Sequence, residues 1–442
     1  MLVRFLLTFV KVALTFAAIN LTGPKLCAMR NCLLPLFILS FFSNLLPSVA
    51  QAQLQKIYLH PKASGTEKQS QFVDSIRFIP LEIKEGIELG NFNSVTIAKN
   101  YFLLTNYQDK RLFLYAKNGT FVREINFKKL GDDFYPNYQE HSNRIVFFGS
   151  NKNYSLTPKD RIKIRLDWNN PRNKKYFRKY SIDLDDSTFA IKKEIPEESD
   201  VIGASHYYDD YFWRGQVTTS SLFKDSLDHE LTLYKDKQLV KAFFPYNRVN
   251  EPRFLYTEDG VNLQRANTAY TSFVTRPFCD TIYKMVKDSL FPAYHLVVPM
   301  ENSLPASFFT EPFKNKTERE NFERNNGWML HQVHNFYETP QLLYFGVRYL
   351  RNFDLYIYNK KTNATYKAKN IKGDTDQYNL HLLVDFALQR NGDRFYKTQK
   401  AGDLLTFFAN NKSVAVPSAL QAFLKSNPPG TAPIIVEFKL KN

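Results

Sequence analysis

Residues 93–127 read NSVTIAKNYFLLTNYQDKRLFLYAKNGTFVREINF. Four apolar runs follow one another here, Ser94–Ala98, Tyr101–Asn106, Arg111–Ala116 and Thr120–Asn126, each bounded by a turn signal. Lys99-Asn100 suits a tight turn because Asn tolerates positive φ, and Asn118-Gly119 is a strong hairpin signal. So short an antiparallel meander cannot bury both faces of its sheet. It therefore predicts neighbours of the same kind.

The rest of the chain repeats the third strand of this unit. Leu112-Phe113-Leu114-Tyr115 is echoed by Tyr176–Tyr180, Leu231–Tyr234, Thr281–Tyr283 and Leu355–Tyr358. In each case a polar turn and a returning strand follow: Ser181–Leu184, Gln238–Phe244, Leu290–Val298 and Ala364–Ile371. The tyrosines fall at 115, 180, 234, 283 and 358, a repeat period with loop insertions. A sixth unit is expected from Asn379–Phe386, Arg394–Lys397 and Leu404–Ala409. Ile434–Leu440 completes it with either Ile57–Leu59 or Ile76–Leu81, the latter being the better latch. Pairing the two chain ends removes exposed sheet edges. Phe308–Asn326 lacks strand alternation and reads as a polar helix, and Ser418–Lys425 as a second helix after Pro417. The expected fold class is all-β: a six-bladed β-propeller of four-stranded antiparallel blades, its ring closed by the N- and C-terminal strands, with short helical insertions.

Residues 1–52 read as an export signal. Arg4 and Lys11 interrupt the first apolar run, Met29-Arg30 offers a second start, and Leu33–Leu46 is followed by Ser48-Val49-Ala50-Gln51-Ala52 with cleavage expected after Ala52. Starting at Met29 would make the first 28 residues an over-extension, and an uncleaved anchor is the alternative. Residues 53–70 read as a polar spacer and 71–442 as one domain. Cys27 and Cys32 lack the context of a lipid-anchored cysteine. Cys279 alone remains beyond the cut, so the fold cannot rely on an internal disulfide, and this thiol reads as buried and structural. Removing Arg4, Lys11, Lys25 and Arg30 takes the net charge of +16 to +12. The densest basic run, Arg161–Lys179, alternates like a strand with one solvated face, and export argues against a nucleic-acid partner.

The chain resembles the six-bladed β-propeller proteins of Bacteroidetes, usually secreted or lipid-anchored and without a settled activity. The likeness rests on Val73–Glu82 as opening strand, Phe113–Val122 as first-blade hairpin, Asp280–Tyr283 with Pro292-Ala293-Tyr294 as mid-chain blade, and Pro433–Lys441 as closing strand. It implies an architecture and an export route and brings no catalytic residues. The missing lipid-anchor motif departs from many relatives.

His331 and His334, with Glu338 following, form the single clustered histidine pair. On a strand, residues three apart point to opposite faces, so no metal site is expected. A first strand of a blade would instead place Trp328, His331 or His334 against a ligand in the central channel. Tyr208, Tyr211 and Trp213 offer an aromatic surface for sugar rings, or packing between blades. Asp183, Asp185 and Asp186, and Asp209-Asp210, lack the glycine and oxygen spacing of a calcium loop and read as turns. No nucleophile elbow, phosphate loop or Cys-x-x-Cys occurs. The expectation is an exported, monomeric, non-catalytic binding module without cofactor, in the periplasm or at the cell surface, not lipid-anchored. Its partner would be a glycan, peptide or envelope protein. The alternative is a hydrolase or lyase acting on a glycan or lactone in the channel.

Overall fold

In the computed structural model the described residues are 54–62, 65–84, 94–151, 157, 160, 171–196, 205–208, 211–215, 227–235, 238–247, 251–256, 259–268, 270–384 and 388–442. The chain divides into Met1–Gln53, which lies outside them, and Leu54–Asn442. The export segment and its cysteines therefore lie outside the described residues, as does most of the basic run Arg161–Lys179.

Leu54–Asn442 is mostly β with few helices, and among the described residues it holds six sheets of four or five strands. Sheet I is the opening stretch: Ser94–Ile97, Tyr101–Asn106, Arg111–Ala116 and Phe121–Asn126. Sheet II is Pro136–Gln139, Arg144–Ser150, Phe177–Asp183 and Lys192–Glu194. Sheet III is Ser205–Tyr208, Tyr211–Gly215, Leu227–Lys235 and Gln238–Asn247. Sheet IV is Asn262–Arg265, Thr271–Thr275, Thr281–Val286 and Ser289–Val297. Sheet V is Leu330–Glu338, Leu342–Tyr349, Phe353–Asn359 and Ala364–Lys367. Each is an antiparallel meander, and Tyr115, Tyr180, Tyr234, Tyr283 and Tyr358 all lie on third strands.

Sheet VI draws on both chain ends. Gln389–Asn391, Arg394–Lys400 and Pro433–Leu440 supply three strands, and Val73–Pro80 pairs antiparallel with the last, Ile435 opposite Ile79 and Phe438 opposite Ile76. Leu404–Ala409, expected as a strand here, is part of the helix Ala401–Asn410, because Ala401, Leu404 and Phe407 recur at helical spacing and are buried. Asn379–Phe386 gives no strand among its described residues. Ser181–Leu184 is not a separate return, since Phe177–Asp183 runs through as one strand.

The stretch read as a polar spacer also belongs to the fold. Gln55–Tyr58 adds a parallel fifth strand to the outer edge of sheet IV, and Ile57 and Leu59 are buried between sheets IV and V. Glu67–Lys68 then pairs with Ile371–Lys372. Two buried apolar residues outweigh the polar composition around them. Helices Ser307–Thr310 and Lys316–Asn325 occupy the region expected to be helical, and Ser418–Lys425 forms as read. They sit, with Ala401–Asn410, in connections 298–329 and 401–432. Both connections lie at the end of the sheets where the first strands begin.

The Asn118-Gly119 hairpin forms with a different turn. Gly119 has φ +92° while Asn118 is not among the positive-φ residues, and the register shifts between Leu114 and Tyr115. This is a turn closed from Gly119 N–H to Ala116 C=O and followed by a glycine bulge. Neither Lys99 nor Asn100 has positive φ. A Cβ on Gly119 would also overlap the Pro80 carbonyl oxygen, since the hairpin abuts the exit of the N-terminal strand. Gly119→Ala is therefore expected to lower unfolding stability in urea by about 1–3 kcal/mol. Gly392→Ala, at φ +61° with open space around it, should cost less than about 1 kcal/mol.

Candidate ligand-binding site

The first strands of sheets IV and V begin side by side, and His331 and His334 lie at their junction. The ladder between Leu330–Glu338 and Leu342–Tyr349 skips His331, pairing Leu330 with Tyr349 and Gln332 with Arg348. That bulge breaks strict alternation. Contrary to the expectation of opposite faces, both imidazoles reach the same segment, residues 259–262.

His331 Nε2 lies 2.9 Å from Asp259 Oδ2, and Arg348 Nη1 donates to Asp259 Oδ1 at 2.9 Å. His331 is 3% exposed, and its Nδ1 has no hydrogen-bond partner among the described residues. Gln332 Nε2 donates to the Gly260 carbonyl at 2.9 Å, fixing the two strands together. Asn262 and His334 meet through Nδ2 and Nδ1 at 2.9 Å. Gln264 Nε2 donates to Asn262 Oδ1 at 2.7 Å, which leaves Asn262 Nδ2 as donor and His334 Nδ1 as acceptor. The His334 proton then sits on Nε2, which is buried without a partner among the described residues. Burial, then His331 and Arg348, push the His334 pKa down to about 4, against a smaller pull from Asp259. The junction thus holds two buried imidazole nitrogens, His331 Nδ1 and His334 Nε2, that no hydrogen bond among the described residues occupies.

Trp328 is not brought together with them. It precedes the strand, is 41% exposed, and packs on Tyr349 at 5.2 Å with Lys367 Nζ 5.5 Å from its ring, over later strands of sheet V. In sheet III, Tyr208 pairs with Tyr211 and His206 with Trp213 along the backbone, and the side chains of Tyr208, Tyr211 and Trp213 lie outside the description. Asp183, Asp185 and Asp186 form turns, with Asp183 Oδ1 accepting from Asp185 N and Asp186 Oδ1 from Thr188 N. Asp209-Asp210 lies outside the described residues. Among the described residues no group of three or more His, Cys, Asp or Glu is placed to hold a metal ion. Cys279 is half-buried and unpaired, and burial pushes its thiol pKa up.

At the opposite ends of the first strands, residues of four sheets meet. Arg265 of sheet IV bonds Glu140, beside the first strand of sheet II, at 3.1 Å. Arg390 of sheet VI donates to Asn267 Oδ1 at 3.0 Å and to the Arg265 carbonyl. Asn267 Nδ2 donates to Tyr337 Oη of sheet V at 2.8 Å. A cavity of about 60 Å³ adjoins this point, lined by Arg265, Asn267, Lys284, Phe336, Tyr337 and Glu338. Burial would raise the Glu338 pKa, but hydrogen bonds from Lys360 and Tyr294 and the charge of Lys284 together hold it below the usual value. Sequence reading missed Asp259, Arg348, Glu140, Arg265 and Arg390, because each comes from a different unit and stands in no motif.

The described chain is thus a mostly-β protein of successive antiparallel four-stranded sheets. A family model described as a domain of unknown function (DUF4934) matches residues 60–439, and the chain belongs to that family. No curated protein matches it. Among solved structures it is similar to a Bacteroides fragilis protein described as exported, at 13% identity and TM-score 0.49, covering 88% of this chain and 100% of that one. It is also similar to a DUF4221-family protein from Bacteroides vulgatus, at 11% identity and TM-score 0.41, covering 84% and 98%. The β-propeller domain of the trilobed protease of Pyrococcus furiosus aligns at 10% identity and TM-score 0.30, covering 69% and 90%. At these values the likenesses carry no functional argument.

Because His334 takes up a proton only near pH 4 when folded and near 6.5 when unfolded, the unfolded chain binds more protons between those values. Stability is expected to fall as pH drops from about 6.5 to about 4, by up to about 3 kcal/mol from this residue. Urea unfolding across that range should show a shallower loss in His334→Gln.

Proposed function

We propose that the protein is an exported, non-catalytic binding module built as a six-bladed β-propeller. Its ligand would sit where the first strands of sheets IV and V begin, against His331 and His334. The carrying observation is the pair of buried imidazole nitrogens there, His331 Nδ1 and His334 Nε2, neither of which has a hydrogen-bond partner among the described residues. The six-blade reading is supported by the six meanders, by the sharing of sheet VI between both chain ends, and by the Glu140–Arg265–Arg390 contacts. These contacts link sheets II, IV and VI, which are not consecutive along the chain. Such links form when first strands surround a common axis. The long connections 298–329 and 401–432 gather at the same end as the histidines, where variable loops of a rigid scaffold contact ligands. Trp328, exposed in one of these connections, would form an outer contact. Export rests on the N-terminal signal read in residues 29–52.

A thermal-shift screen of the purified protein against oligosaccharides, peptides and lactones tests the reading. A stabilising compound should bind about tenfold more weakly to His331→Ala and His334→Ala, as expected for one lost hydrogen bond in a buried site. Undiminished binding in both variants would refute the site. Conversion of the compound to product would replace the binding reading with that of a hydrolase or lyase. Mass spectrometry of the protein recovered from an expressing bacterium should find Gln53 at the N-terminus, whereas a chain retaining Met29 would overturn signal cleavage.

A further inference from the structure

Arg390, in the first strand of sheet VI, hydrogen-bonds no carboxylate among the described residues, and only the more distant charge of Glu140, itself paired with Arg265, acts on it. Its Nη1 donates to Asn267 Oδ1 at 3.0 Å and to the Gly392 carbonyl at 3.1 Å, and its Nη2 donates to the Arg265 carbonyl. The guanidinium lies 4.8 Å from the centre of the Tyr337 ring. Every one of these acceptors is neutral, and together they hold the guanidinium in place. The Nε–H finds no acceptor among the described residues. Arg390 is half-buried, and that burial lowers its pKa without removing its proton.

The same chain shows what this edge of an arginine takes. Arg111 holds Glu124 through Nε and Nη2, both at 2.6 Å. Arg276 holds Glu230 through Nε at 3.1 Å and Nη2 at 2.5 Å. Paired donation from these two nitrogens is the geometry that matches a carboxylate. Beside Arg390, Tyr337 accepts from Asn267 and keeps its own O–H to donate.

We propose that the Nε edge of Arg390, with the Tyr337 hydroxyl and the adjoining cavity, binds the carboxylate of a small molecule. This site is separate from the histidine junction, lying at the other end of the first strands. Arg390 does not itself line the cavity of about 60 Å³ but borders it through Arg265, Asn267 and Tyr337, and that space accommodates one such group rather than a large ligand. A monoanion fits better than phosphate because the neighbouring cations already have partners. Arg265 is matched by Glu140 at 3.1 Å, and Glu338 takes Lys360 at 2.6 Å and Lys284 at 3.8 Å.

Calorimetric titration of the purified protein with acetate, lactate, glucuronate and inorganic phosphate at constant ionic strength tests this. At least one carboxylate should bind saturably, and glucose, the uncharged counterpart of glucuronate, should not. Arg390→Gln should weaken that binding about tenfold or more, and Tyr337→Phe by a few-fold. His331→Ala should leave it unchanged, which separates this site from the one proposed above. Tighter binding of phosphate than of every carboxylate, equal binding by Arg390→Gln, or no saturable carboxylate binding would overturn the proposal. Should Arg390→Gln fail to fold, the Arg390 Nε–H resonance of the unmodified protein must shift on carboxylate addition, and an unmoved resonance would be equally decisive.

Discussion

The pairing of Pro433–Leu440 with Val73–Pro80 is the constraint on which the rest of the molecule depends. Pro433–Leu440 is buried along almost its whole length, and its alternate residues serve two different interfaces. Ile435 joins Ile79, Phe102, Phe113 and Tyr115, packing toward sheet I. Ile434, Val436 and Phe438 join Tyr337, Tyr344 and Phe395, packing toward sheet V. A strand with two apolar faces must be covered on both. The terminal strand therefore holds sheets I and V against sheet VI, and the N-terminal strand shields its outer edge.

Between the sheets the faces are mostly apolar, and the buried charges among them are paired, as Lys367 is with Asp354 and Lys179 with Glu194. Glu230, 3% exposed, lies between Arg253 and Arg276 and links sheet III to the start of sheet IV. A buried carboxylate is costly unless paired, and here two arginines supply the pairing. Arg319, almost fully buried in the helix Lys316–Asn325, is held by Glu323 at 2.9 Å and by the faces of Phe278, Phe308 and Phe313. The long connection between sheets IV and V is thereby fixed over the end where the histidines lie. The same pattern positions Arg348 against Asp259 at the histidine junction.

Strand content was legible because each meander is local: alternation and a turn residue within a few positions specify it. Tyr115 and its later counterparts marked the third strands correctly for that reason. Leu404–Ala409 was misread because a short apolar run fits a strand or a buried helix equally well. Gln55–Tyr58 was misread because its partner, Ser289–Val297, lies far along the chain, and a parallel edge strand needs no turn signal. The site was harder. His331 and His334 could be singled out, but the bulge that turns both toward residues 259–262 has no marker in the sequence. Arg390 and Glu140 are ordinary surface residues until four sheets bring them together.

The course of the N-terminal segment sets the order in which the molecule can be completed. From Gln55 it lies first on sheet IV, then beside Ile371–Lys372, and finally on sheet VI. Each of these surfaces is made of residues synthesised long after it. Residues 55–58 can be seated once 294–297 exist and 67–68 once 371–372 exist, but no partial chain lacking 433–440 can seat residues 73–80. Contacts so distant in sequence close late and slowly. The N-terminal segment is thus fastened in three steps, and only the last, which joins the two chain ends, needs the whole length of the chain.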